Sequence, residues 1–269
     1  NGIINLMGGV GGAMAFLVGS FLYKMNNAYP FYMASFFIIL SIIILYFNIR
    51  EQRDSLNYFN GPVDREREDG RAKGGSGKID WNVIMLLLAI FSWFVGYNAV
   101  ETFFTLYGKE YLHVGVDVAA RKFFYFTVTM ILFAVPAGLI ATRIGKKKTI
   151  MTGLALIILT FGGLMFSRSI NAIGYMFLFA GAFWALININ SYPLVVSMTD
   201  DSNIGRYTGY YYLFSSLAAI VSPPLVGKLI DWWGYRVLFT YSVIAFVIAF
   251  IFMMLVKQTG NAKKEAQAE

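Results

Sequence analysis

Glu101 is the carboxylate that lies deepest within a long apolar stretch of this sequence. Tyr97 and Thr105 stand four residues to either side of it and Asn98 three residues before it, so a helix would place all four on one face. Ionisable residues inside a membrane span are rare and usually functional. We interpret this stripe as the lining of a central cavity in which Glu101 binds a proton or another cation. A carboxylate that only reaches the outer interface, or pairs with a neighbouring helix, would give the same pattern.

A second polar stripe consists of Trp184, Asn188 and Ser191, which follow helical spacing i, i+4, i+7. Buried amides need hydrogen-bond partners, and a hydroxyl-rich ligand can supply them. An indole ring also offers a flat apolar face to a sugar ring. We therefore expect this stripe to bind substrate. The alternative is that the amides bond across helices and hold the bundle together, which we favour for Asn190.

A third group of candidates, Tyr211 and Ser215, shares a face with Tyr207 in a later apolar stretch. We expect Tyr211 and Ser215 to contact substrate as well. Tyr207 and Tyr210 lie closer to the end of the stretch, where tyrosines form an aromatic belt at the membrane interface.

The elements that must position these residues are apolar helices. The 269 residues are 58% hydrophobic and 14% charged, whereas soluble domains carry about 25% charge. A bilayer core about 30 Å thick needs about 20 apolar residues for each helix, and the sequence contains runs of this length without strict alternation. The runs are 3–23, 29–48, 82–107, 122–141, 149–167, 171–198, 205–229 and 235–256. The sequence therefore predicts an all-α membrane protein, a polytopic bundle with eight transmembrane helices.

The charges indicate an orientation and exclude several kinds of site. The sequence has 22 Lys and Arg residues. Of these, 15 lie in segments that the predicted spans place on the same side of the membrane, namely 49–81, 142–148, 199–206 and the tail after 256. The positive-inside bias therefore predicts that both termini are cytoplasmic. We expect the membrane that the protein spans to be the plasma membrane. This topology accounts for most of the net charge of +7 and argues against a nucleic-acid partner. Without cysteine and with one histidine, we expect no metal site and no cofactor.

Catalysis inside the membrane would require a Ser–His pair, paired aspartates or a metal site. His113 lies in an outer loop, and no two acidic residues face each other within the spans. The sequence therefore predicts that the protein is not an enzyme.

A mixed-charge, Gly/Ser-rich segment divides the spans into two blocks. It covers 49–80 and separates 1–48 from the six-span block 81–257, which is followed by a tail, 258–269. Val18-Gly19-x-Phe21-Leu22 matches Val226-Gly227-x-Leu229-Ile230 at an offset that also aligns Phe31 with Phe239. This repeat indicates that 1–48 is the end of a truncated six-helix half, with roughly 120 residues preceding it in the whole protein.

The motif between the fourth and fifth spans resembles the basic loop motif of the major facilitator superfamily. It runs from Gly138 to Lys148, and Thr142 stands where the family usually has aspartate. Pro193, 205–209 and 223–227 also resemble this superfamily. The resemblance implies a monomeric twelve-helix transporter in which this chain provides helices five to twelve. It also implies a cytoplasmic gating motif, formed here by Gly138, Arg143, Gly145, Lys146 and Lys147.

Two shorter stretches, 96–104 and 182–185, resemble the branch of sucrose–cation and other sugar–cation symporters. This resemblance implies a small hydrophilic substrate, with a sugar favoured, and proton or sodium as the coupling ion. A drug or metabolite efflux transporter of the same fold is the alternative. A structural or receptor membrane protein is the alternative outside transport.

Overall fold

The helices described below come from a computed structural model, which describes residues 2–48, 80–199 and 203–257. These ranges contain eight α-helices and no strand. The helices are α1 (Gly2–Met25), α2 (Tyr29–Asn48), α3 (Trp81–Glu110), α4 (Val116–Ile144), α5 (Lys146–Leu164), α6 (Ile170–Val196), α7 (Ile204–Trp233) and α8 (Val237–Leu255). The predicted linker, apart from Asp80, and the predicted tail lie outside the described residues.

Seven of these helices, α2 to α8, are long and apolar enough to cross a membrane. The prediction of an all-α polytopic membrane protein is therefore confirmed. Helix α1 coincides with the first predicted run, and its passage through the membrane stays a prediction.

Several helices extend beyond the apolar runs that predicted them. Helix α3 continues to Glu110, and α4 begins at Val116 instead of 122. The added turn of α4 is held by an ion pair between Asp117 and Arg121, whose charged atoms are 3.1 Å apart. Because charged side chains one turn apart stabilise a helix in water, this helix continues beyond the apolar run that predicted it.

Helices α3 and α6, which carry most of the candidate site, are the most deeply buried spans. Helix α3 packs against α7 and α8 and also contacts α4 and α6. Helix α6 packs against both α4 and α5, while α8 closes the bundle against α5. Helix α1 packs along α4, and α2 packs against α1. Most of the candidate residues therefore lie on the two most buried helices of the 81–257 block, whereas Tyr211 and Ser215 lie on α7.

The α4–α6 contact depends on a glycine. A Cβ atom at Gly181 would overlap the backbone carbonyl of Phe126 on α4. Small residues allow helix backbones to approach closely in membranes, where packing drives association. Gly181 therefore sets how closely α6 approaches α4.

Candidate functional site

The central feature of the site is a hydrogen bond between Tyr97 and Glu101. The Tyr97 hydroxyl donates to Glu101 Oε1 at 3.0 Å, so the helical spacing brings the two side chains together. Glu101 is exposed on the described bundle, whereas Ala99 and Val100 beside it are buried. Asn98 is half-buried, and its amide donates to the Phe94 carbonyl of its own helix at 2.8 Å. Glu101 is therefore the accessible charge on this face of α3.

Tyr97 also joins α3 to α6. Its ring stacks on the Trp184 indole with the ring centroids 4.5 Å apart and the planes 8° apart. Phe94 meets the same indole edge-on at 5.7 Å, and Trp184 is only 1% exposed. Because the Tyr97 ring covers the indole face that we expected to be open, Trp184 supports Tyr97 in this structure instead of lining an open surface.

This stacked pair lies near the middle of both helices. At 1.5 Å for each residue, Tyr97 is about 24 Å along a helix of about 45 Å. Trp184 is about 21 Å along a helix of about 40 Å. The Tyr97–Trp184 contact therefore lies near mid-depth of the bundle.

The two asparagines of α6 differ in their partners. Asn188 is half-buried, and its side chain makes no hydrogen bond to any described residue. Asn190 is buried and donates to the Ala137 carbonyl of α4 at 3.2 Å and to the Leu186 carbonyl at 2.9 Å. The cross-helix interpretation of Asn190 is confirmed, and Asn188 differs from it in having no side-chain partner among the described residues.

Ser191 and Tyr211 meet between α6 and α7. Their hydroxyl oxygens are 3.2 Å apart and both side chains are buried. Ser215 is half-buried and donates to the Tyr212 carbonyl of its own helix at 3.2 Å, so it does not join this pair.

Sequence reasoning missed a second α6–α7 hydrogen bond, between the hydroxyls of Tyr192 and Thr208 at 3.0 Å. The signal in the sequence was that Tyr192 near the end of α6 and Thr208 near the start of α7 are both polar, and the ends of consecutive spans lie close together.

The predicted gating motif forms the turn from α4 to α5. Gly145 joins the helices with φ 90° and ψ 143°, a conformation essentially reserved for glycine. Arg143 is exposed, Lys146 is half-buried, and a Cβ at Gly138 would meet open space. Thr142, which replaces the usual aspartate, donates to the Leu139 carbonyl at 2.8 Å. Its side chain is uncharged, so it forms no ion pair here.

Lys147 connects this turn to α8. Its Nζ donates to the Val256 carbonyl at 2.5 Å and lies 3.5 Å from the Met254 carbonyl. The free carbonyls at a helix C-terminus carry partial negative charge, which a lysine stabilises. Beside them, the Lys257 backbone N–H donates to Asn82 Oδ1 at 3.0 Å. The ends of α5, α8 and α3 are therefore linked by hydrogen bonds, a role of Lys147 that its basic motif does not reveal.

Replacing Lys147 should lower stability. We expect Lys147→Met to reduce the free energy of unfolding by about 1 kcal/mol, because two carbonyls lose a charged donor. Thermal unfolding in detergent would measure the change. Lys148→Met is the matched control, since Lys148 is exposed and no described acidic group pairs with it. Equal stability of the two variants would contradict this role for Lys147.

The described residues contain no group of three His, Asp or Glu side chains that could hold a metal ion. Within them, Glu101 is the carboxylate of this site. The arrangement is therefore one carboxylate hydrogen-bonded to a phenol, next to aromatic rings and the amides of Asn98 and Asn188. Such a site can bind a cation or a proton together with a solute rich in hydrogen-bonding groups.

The described helices, seven of them long and apolar enough to cross a membrane, define a polytopic membrane protein. The family model of the Major Facilitator Superfamily matches residues 122–269. The chain belongs to this superfamily, a family of transporters and not of enzymes.

The fold is also similar to a crystal structure of a mutant of the peptide transporter POT in complex with sulfate. The TM-score is 0.58 and the identity 16%, over 69% of this chain. The chain spans 42% of the length of that transporter chain. No curated protein matches the chain.

Proposed function

We propose that this chain is part of a secondary transporter that moves a small hydrophilic solute, with a sugar favoured, by alternating access. Membership of the Major Facilitator Superfamily supports transport. The observation that supports the proposal most directly is the Tyr97–Glu101 hydrogen bond, because it joins an exposed carboxylate on α3 to the Tyr97–Trp184 stack near the middle of the two helices. Binding near the middle, between halves that rock, is how such transporters work.

The candidate residues take different roles in this proposal. Glu101 binds the coupling ion, a proton or sodium. Asn98 and Asn188 offer hydrogen bonds to substrate hydroxyls, and Tyr97 presents its hydroxyl at the same surface. The remaining members of the set contact substrate or support those that do. They are Trp184, Ser191, Tyr211 and Ser215.

The arrangement of halves follows the same proposal. Residues 1–48 are the last two helices of the N-terminal half, 81–257 form the C-terminal half, and 49–80 link them on the cytoplasmic side. The packing of α1 along α4 is then a contact between the two halves. Both termini are cytoplasmic, and the protein works as a monomer in the plasma membrane.

Uptake of labelled sugars into liposomes by the purified full-length protein would test the substrate class. We expect at least one sugar of the panel to accumulate when a proton or sodium gradient is imposed. Protein-free liposomes give the leak rate. If no sugar crosses with or without a gradient, the sugar proposal fails, while the fold and family stand.

Efflux of a drug or metabolite is the second candidate. The aromatic rings around the site favour this candidate. Phe94 and Tyr97 both pack on Trp184, and Phe126 packs on Tyr97, with the ring centroids of each pair less than 6 Å apart. The test is whether an aromatic cation such as ethidium is expelled from loaded liposomes. Ethidium export without sugar uptake would favour this candidate.

A further inference from the structure

We propose that the end of the bundle where α3, α5 and α7 begin binds an anionic phospholipid, at a site formed by α5, α8 and the start of α3. Three lysines and one tryptophan form the headgroup region, and an apolar stripe on α8 takes an acyl chain. This inference is independent of the transported solute.

The headgroup region is assembled by two hydrogen bonds already described. The bond from Lys147 to α8 brings Lys146 and Lys148 to the end of α8. The bond from Lys257 to Asn82 brings Lys257 and Trp81 to the same place. Lys148 and Lys257 are exposed, Lys146 is half-buried and Trp81 is 66% exposed.

The charges of these lysines are not neutralised within the described residues. No described carboxylate pairs with Lys146, Lys148 or Lys257. Asp80, the described acidic residue at this end, accepts a hydrogen bond from the Asn82 backbone as the N-cap of α3. A phosphate group would supply the missing negative charge, and tryptophan favours the headgroup level of a bilayer.

The acyl chain region is one face of α8. Ile244, Ile248, Ile251 and Leu255 follow spacing i, i+4, i+7, i+11 and are 42–55% exposed. They extend along about 16 Å of helix, which is close to half of a hydrocarbon core about 30 Å thick. The stripe ends at the lysines, so a lipid of the adjoining leaflet can place its chain on α8 and its phosphate among them.

Any lipid of the bilayer can cover the apolar face of α8, but the positive charge of the lysines selects among lipid headgroups. Anionic lipids are attracted by clustered Lys and Arg near the bilayer surface, whereas phosphatidylcholine carries no net charge. The site therefore favours phosphatidylglycerol over phosphatidylcholine with the same acyl chains.

Native mass spectrometry of the purified full-length protein with each lipid would test this preference. We expect tighter binding of phosphatidylglycerol, weakened about fivefold by each of Lys146→Gln, Lys148→Gln and Lys257→Gln, with the preference lost in the triple variant that combines them. The matched control replaces three lysines near the opposite end, with Lys24→Gln, Lys109→Gln and Lys228→Gln, and should retain the preference. Equal affinity for the two lipids, or a preference that survives the first triple variant, would overturn the proposal.

A label on α8 tests the acyl chain region without altering the lysines. These 269 residues contain no cysteine, so Ile251→Cys can carry a single bimane fluorophore in a full-length protein whose other residues are also free of cysteine. Brominated phosphatidylglycerol should quench it more than brominated phosphatidylcholine, while a label at Leu132→Cys on α4, 68% exposed, should respond equally to both. Equal quenching at Ile251→Cys would refute binding on α8. Displacement of the lipid by glycerol phosphate at equal concentration would show a site for free phosphate instead.

Discussion

Glu101→Gln should abolish gradient-driven accumulation of solute by the full-length transporter. The glutamine oxygen can still accept the hydrogen bond from Tyr97. The amide, however, does not take up a proton near neutral pH, and it has no negative charge to attract a cation. One charge moved across 100 mV is worth about 2.3 kcal/mol, which corresponds to about a fiftyfold concentration ratio. We expect that ratio to fall to one in the variant while solute exchange at equilibrium continues. Uptake into liposomes with and without an imposed gradient measures both quantities.

Glu110→Gln is the matched control for this experiment. Glu110 lies at the end of the same helix and is exposed, with its carboxylate 3.3 Å from Lys109 Nζ. We expect it to leave accumulation unchanged. Accumulation that persists in Glu101→Gln would remove Glu101 from coupling, even where the solute is still transported.

Gly181→Ala should destabilise the bundle strongly. The added methyl group would overlap the Phe126 backbone carbonyl, which cannot rotate away as a flexible side chain can. Helices α4 and α6 would have to separate, and α6 carries Trp184 and Asn188. We expect a loss of about 3 kcal/mol or more in the free energy of unfolding. Denaturation in mixed detergent micelles, followed by tryptophan fluorescence, would measure it.

Gly162→Ala provides the comparison on α5, because a Cβ there meets no atom within 4 Å. Alanine is a better helix former than glycine by up to about 1 kcal/mol, so this variant should be neutral or slightly more stable. If both variants were equally stable, the close approach of α4 and α6 at Gly181 would be refuted.

The helices and the partners within one helix could be predicted from the sequence. Apolar runs of sufficient length located every described helix, since the bilayer fixes their length. The hydrogen bond between Tyr97 and Glu101 follows from a spacing of four residues, because helix geometry alone brings such side chains together.

Contacts between helices were less predictable. The stacking of Tyr97 on Trp184 depends on how α3 and α6 rotate against each other, which periodicity does not specify. For the same reason the sequence could not show that Asn190 bonds to α4 whereas Asn188, two residues earlier, does not. Lys147 belongs to a basic run in which all three lysines have the same chemistry, and only the position of the α8 terminus distinguishes it from Lys148.

The backbone of Gly145 has a consequence for how variants in the α4–α5 turn should be interpreted. Its φ of 90° disfavours every residue other than glycine at this position, whether or not the turn takes part in gating. A saturation mutagenesis screen would therefore score this position as intolerant even in a protein whose gate never closed. Substitutions at Arg143 and Lys146, whose side chains leave the backbone unconstrained, would be needed to separate a role in gating from a requirement of the fold.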